Sequence, residues 1–149
     1  MTKADDFDLQ DFLPYLLNQA ADASSNGFQS YYKAKYGMLR TEWRVLFHLG
    51  RYGRMTAKEI CARAGIHKTK VSRAVRALEQ KRYLTRTEVP KDRRHEELQL
   101  TRQGQAAYGD LSLEAKRYDH ALMSQVPAAQ RDMLRACLRQ IADMQNPDA

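Results

Sequence analysis

Apolar residues recur along this chain at two periods, and the changes of period divide it into elements. From Asp8 to about Tyr36 the spacing predicts a long helix: Phe12, Leu13, Leu16, Leu17 and Ala20 share one face, and Phe28, Tyr31, Tyr32 and Tyr36 resume it. Its middle, Ser24-Ser25-Asn26-Gly27, is weak helix material, so a kink or break is expected there. Gly37 supplies a stop. Thr41 reads as the N-cap of a helix through Leu49, with Val45, Leu46 and Leu49 facing inward. Gly50 to Gly53 reads as a turn. Thr56 and Glu59 then have the spacing of a capping box, in which each side chain serves the other residue's amide. They open a short helix that packs Ile60 and Ala64 and ends at Gly65.

A further helix is predicted from about Lys68 to Lys81. Val71, Ala74, Val75 and Leu78 form its apolar stripe, and Lys68, Thr69, Ser72, Arg73 and Arg76 form the opposite face. The period then shortens. Tyr83 to Val89 and Glu96 to Leu100 alternate like strands, with Leu98 and Leu100 on one side. Pro90-Lys91-Asp92-Arg93-Arg94 makes a charged turn between them. Thr101 caps another long helix to about Gln125, and Pro127 breaks the chain. A last helix carries Met133, Leu134, Cys137, Leu138, Ile141 and Met144. The predicted fold is mainly α with a small β-hairpin wing. Residues 1–40 and 105–149 are helical regions for dimerisation, flanking a winged helix-turn-helix over 41–104.

The location of the charge sharpens this picture. The chain of 149 residues carries +7, and residues 51–104 hold 15 Lys/Arg against 6 Asp/Glu. Residues 1–40 hold 4 against 5, and residues 105–149 hold 5 against 6. All of the excess therefore lies in the middle third, which points to a polyanionic partner. No apolar run approaches the roughly 20 residues that span a bilayer. The acidic N-terminus has no signal-peptide core. A cytoplasmic protein is expected.

Duplex DNA gives each part of the middle third a role. The helix from Lys68 fits a major groove, whose width admits one α-helix. Arg73 and Arg76 can each offer a fork to guanine O6 and N7, and Thr69 and Ser72 are short enough to let the backbone approach. Lys68 and Lys70 suit phosphates. His67, at the N-cap, is either a weak cap or a phosphate contact. At the wing tip, Asp92 can hold Arg94 in one pose beside Arg93, and a pre-set guanidinium suits a narrow A·T minor groove. Asp92 can equally bond its own backbone as an Asx-turn. The long apolar-striped ends need burying, and a second copy is the simplest partner.

Trp43-Arg-Val-Leu46, Glu59-Ile-Cys-Ala-Arg-Ala-Gly-Ile66, Val71-Ser-Arg-Ala-Val-Arg-Ala-Leu-Glu79, Asp92-Arg-Arg94, and Leu98-Gln-Leu-Thr101 with Gly104 together resemble the MarR family of bacterial regulators. The resemblance covers nearly the whole chain. It implies a homodimer whose first and last helices intertwine, a palindromic operator, and commonly a small aromatic or phenolic anion that releases DNA. It also places a ligand pocket between the dimer helices and the DNA-binding lobe, where Tyr15, Tyr32, Tyr36 and Trp43 are the candidate walls. Where the family usually has glycine after the recognition helix, this chain has Arg82. A left-handed backbone there costs a non-glycine residue roughly 1 kcal/mol.

Other chemistries find less support. Cys61 and Cys137 fall on packing faces and fit no disulfide or metal spacing, and the four histidines are far apart. The peroxide-sensing branch of the look-alike family has its reactive cysteine in the first helix region, where this chain has none. No metal, no cofactor and no enzymatic activity are expected. The alternative reading is an architectural or RNA-binding winged helix without a ligand switch. A module that docks acidic proteins is a third.

Overall fold

A computed structural model describes residues 6–89 and 92–144, without the side chains of residues 92–95. It divides into two compact units, residues 1–114 and residues 115–149. In chain order the elements are a 3₁₀ turn (Leu9–Asp11), α1 (Leu13–Tyr36), α2 (Arg40–Tyr52), β1 (Met55–Thr56), α3 (Ala57–Ala64), α4 (Lys68–Gln80), β2 (Leu84–Val89), β3 (Asp92–Leu100), α5 (Arg102–Ser124) and α6 (Ala128–Asp143). The fold is mainly α with a small antiparallel sheet, a winged helix-turn-helix, as the periodicity predicted.

The core of the first unit follows from the apolar stripes. Val45, Leu46 and Leu49 of α2, Ile60 of α3, and Val71, Ala74, Val75 and Leu78 of α4 are all buried together. Leu84, Leu98 and Leu100 close the core from the sheet, and Ala107 and Leu111 from α5. A fully buried Leu or Val contributes about 1.5–3 kcal/mol, so this stripe fixes which face of α4 turns outward.

The α3–α4 turn is set by Gly65, which takes φ +65° at the end of α3. Side chains avoid that conformation and glycine does not. Thr56 caps α3, accepting the Glu59 amide at 3.2 Å. The Glu59 carboxylate accepts from the Thr56 hydroxyl, not the Thr56 amide, so the expected box is only half formed. At α5, the Thr101 hydroxyl accepts the Gly104 amide at 3.0 Å, as expected. A Cβ on Gly104 would collide with the Tyr83 carbonyl, so only glycine lets α5 approach the end of α4 this closely.

Several expectations need correction. The long first helix starts at Leu13, after a separate 3₁₀ turn, with Pro14 in its first turn. It runs without a break through Ser24–Gly27, where Ser25 donates back to the Ala21 carbonyl at 2.7 Å. The cap of α2 is Leu39, not Thr41, because the Glu42 carboxylate takes the Leu39 amide at 2.7 Å. The wing has a third strand: β1 pairs with β3, giving the order β1-β3-β2. Two residues are too short for an alternation signal, and Met55 opposite Leu98 holds β1 in register. The second wing strand begins at Asp92 rather than Glu96, after a register shift at Glu88/Val89. Cys137, expected on a packing face, is exposed in the single chain, where no residue of α6 is buried.

In the second unit, Arg135 pairs with Asp119 at 2.6 Å, and Arg131 donates to the Val126 carbonyl at 2.9 Å. Both contacts brace the turn at Pro127.

Arg82 adopts φ +65°, the glycine-type conformation, and its carbonyl accepts from the Thr101 hydroxyl at 2.7 Å. The geometry survives the substitution, so the backbone carries the strain. Arg82→Gly should stabilise the protein by up to about 1 kcal/mol, read as a higher urea midpoint at unchanged slope. An equal or lower midpoint would show that the turn is not strained.

Candidate nucleic-acid interface

α4 presents one polar face, and its opposite face is locked into the core. Lys68, Thr69, Lys70, Ser72, Arg73 and Arg76 are all exposed, while Val71, Ala74, Val75 and Leu78 are buried. Thr69, Ser72, Arg73 and Arg76 recur at the spacing of neighbours on one helix face. His67 caps the helix: its Nδ1 accepts the Thr69 amide at 3.3 Å. That length makes it a weak cap, and the imidazole stays exposed.

Beside α4, the sheet and α3 enclose an open cleft of about 730 Å³. Lys58, Lys68, Arg76 and Arg86 line it with positive charge and Glu96 with a carboxylate, beside Val75, Leu98 and Cys61. Lys58 and Arg86 were not among the candidates from sequence. Arg86 was hidden because strand alternation reports which side a residue faces, not what it meets. Its guanidinium bridges Glu79 of α4 (3.1 Å) and Glu96 of β3 (3.3 Å), tying the wing base to the helix. The wing-tip candidates Asp92, Arg93 and Arg94 have side chains outside the described residues, so the proposed Asp92–Arg94 brace has no geometry here.

Of the four aromatic candidates, Tyr32 and Trp43 meet, and Tyr15 and Tyr36 lie apart from that pair. Tyr15 lies 17 positions before Tyr32 on α1, or roughly 25 Å along the axis at 1.5 Å per residue. Tyr32 is buried and stacks on Trp43, with ring centroids 6.0 Å apart and planes at 4°. Phe28 meets both rings edge-on. Burial raises the Tyr32 phenol above its ordinary value, opposed by the nearby Arg40 guanidinium.

Tyr36 belongs to another cluster. Its hydroxyl donates to Asp110 Oδ2 at 2.5 Å, Tyr31 donates to the same atom at 2.9 Å, and Lys35 pairs with it at 3.0 Å. Burial and the Asp110 carboxylate push the Tyr36 phenol up to about 12. The hydrogen bond from Tyr36, with those from Lys35 and Tyr31, holds the Asp110 carboxyl below its ordinary value. Among the described residues no helix is long and apolar enough to cross a membrane.

Two helices joined by a tight turn, with a cationic outer face and a hairpin beside it, define a winged helix of the kind that reads nucleic acid. Residues 36–95 match the MarR family. An uncharacterized HTH-type transcriptional regulator, YwoH of Bacillus subtilis strain 168, is 25% identical over 89 residues, covering 60% of this chain. That match spans 64% of the relative's own length. A MarR/EmrR family transcriptional regulator from Acinetobacter sp. ADP1 superposes with a TM-score of 0.80 at 26% identity, covering 92% of this chain and 96% of that one. BpsR of Bordetella bronchiseptica, whose DNA binding is regulated by 6-hydroxynicotinic acid, superposes at 0.85 with 19% identity, over 93% and 99% of the two chains. The match over residues 36–95 and the superposition on a MarR/EmrR regulator make this chain similar to the MarR family of winged-helix regulators.

The Asp110 cluster gives a pH test. A carboxyl held below its ordinary value contributes stability above that value and loses it as pH falls through the folded-state value. Tyr36 runs the other way: its contribution holds below about pH 10 and is lost as pH climbs toward about 12. Asp110→Asn should therefore flatten the fall in urea midpoint between about pH 5 and about pH 3. A fall as steep as in the wild type would rule out this role.

Proposed function

We propose that this chain is a sequence-selective transcription regulator that binds duplex DNA as a homodimeric repressor. The observation that carries the reading is the division of α4: its apolar stripe is buried, and Lys68, Thr69, Lys70, Ser72, Arg73 and Arg76 face outward together. A helix held so firmly can enter a major groove without losing its packing. Arg73 and Arg76 then read guanine, Thr69 and Ser72 allow close approach, and Lys68, Lys70 and His67 take phosphates. Arg93 and Arg94, with Asp92, serve the adjoining minor groove from the wing.

Exposed apolar residues support a dimer. Phe12, Leu13 and Leu16 near the start of α1 are exposed, as are Met133, Leu134 and Leu138 of α6. Covering both stretches with a second copy gives a two-fold protein and a palindromic operator. The effector is proposed to be a small aromatic or phenolic anion that releases DNA. The regulation of BpsR by 6-hydroxynicotinic acid supports that class, and Tyr32, Tyr36 and Trp43, with Tyr15, remain the proposed walls.

Arg73→Ala should cost about 1–3 kcal/mol of binding and relax preference at one base position. Arg94→Ala should relax preference at the A·T flanks of each half-site. Both are read by titrating a selected duplex and a random duplex in parallel. Equal losses on the two duplexes would mean phosphate contact only and would favour an architectural binder.

A further inference from the structure

Three helix ends meet at one ion pair. Glu42 lies in the first turn of α2, and only 4% of its side chain is exposed. Its Oε1 accepts from Lys81 Nζ at 2.6 Å, and its Oε2 accepts the Leu39 amide at 2.7 Å. Lys81 is the C-cap of α4, and its ammonium also donates to the carbonyl of Gly37, the C-cap of α1, at 2.7 Å. A carboxylate near a helix N-terminus and an ammonium among C-terminal carbonyls both suit the helix dipoles. A charge this deeply buried must be paired, and both Glu42 oxygens are used.

The node sits at the one end of α4 that the proposed DNA contacts do not use. The polar face of α4 begins at Lys68, about three and a half turns before Lys81. Beyond Lys81 the chain leaves at once: the Arg82 amide bonds the Glu79 carbonyl, and the Tyr83 amide bonds the Leu78 carbonyl, both at 2.9 Å. The apolar stripe fixes the rotation of α4 about its axis, but apolar contacts are non-directional and set its position along the axis less sharply than a polar bond does. The Lys81–Glu42 pair supplies a directional stop. On the other side, Tyr36 immediately precedes Gly37 and is bonded to Asp110 of α5. A shift of the α1–α2 corner therefore reaches the end of α4 through two short polar contacts.

We propose that Lys81 and Glu42 are positioning residues for the recognition helix, setting its placement from the α1–α2 corner and passing shifts of that corner to the DNA-reading face. The inference rests on the DNA-binding reading above. It gives the regulation a physical path: an effector seated near Tyr32, Tyr36 and Trp43 changes DNA affinity by moving the stop.

Glu42→Gln separates this role from its rivals. The substitution keeps an acceptor for the Leu39 amide and removes the charge that holds Lys81. A positioning role predicts that affinity for the wild-type-selected duplex falls about threefold to thirtyfold. Affinity for random duplex and the salt slope should stay unchanged. If Lys81 is instead a phosphate contact restrained by Glu42, the same change frees it and both affinities rise. Lys81→Met would then lower both affinities and reduce the salt slope by about one. Either of those results overturns the proposal, as does an unchanged selected-to-random ratio. Lys81→Arg, which keeps a cation opposite Glu42, should keep most of the ratio. Should Glu42→Gln melt below the assay temperature, the neutral pair Glu42→Gln with Lys81→Met carries the same prediction. Failure of the wild-type chain to enrich any duplex would remove the DNA reading and this inference with it. Enrichment without loss in the variants removes this inference alone.

Discussion

The burial of Val71, Ala74, Val75 and Leu78 is the constraint on which the rest of the molecule depends. Four apolar side chains at helical spacing leave α4 one orientation against α2, α3 and the sheet. Everything polar on the helix is then forced outward on a single face. Had the stripe been interrupted by one charge, the rotation of α4 would be open and its cationic side chains would point nowhere in particular. The function proposed for the chain is thus a consequence of packing before it is one of charge.

Polar contacts then do what apolar burial cannot. The hydrophobic stripe sets the rotation of α4, and its non-directional contacts fix the position along the axis less sharply. Directional bonds at the helix ends supply the rest: the His67 cap at the start, and the Lys81–Glu42 pair and the Thr101–Arg82 bond at the finish. Arg86, between Glu79 and Glu96, sets the wing base against the same helix. Exposed ion pairs contribute little stability singly. Their value here is geometric, because they relate two surfaces that would have to engage one duplex together.

The sequence was most legible where a period ran long enough to be counted. The stripes of α2 and α4, the stop at Gly65 and the cap at Thr101 needed only local chemistry. The position of Arg82 as a departure from the usual glycine was also visible, and the left-handed backbone there follows the fold rather than the side chain. Less legible were features that depend on distant partners. β1 is two residues long and exists because Met55 finds Leu98. Leu39 caps α2 because Glu42 reaches its amide, and Glu42 itself reads as an ordinary surface acid until Lys81 is seen beside it. Ser24–Gly27 has low helix propensity, yet α1 passes through it, because Phe28, Tyr32 and Trp43 pack just beyond. The aromatic candidates share no single site: helical rise separates Tyr15 from Tyr32, and Tyr36 bonds Asp110 while Tyr32 stacks on Trp43.

Selection of bound sequences from a random duplex pool by the full-length chain tests the central claim most directly. A winged helix on a two-fold dimer predicts enrichment of an inverted repeat with half-sites centred about 10 bp apart, one turn of the double helix. A pool that stays random after repeated rounds, or that converges on a single asymmetric site, would contradict it.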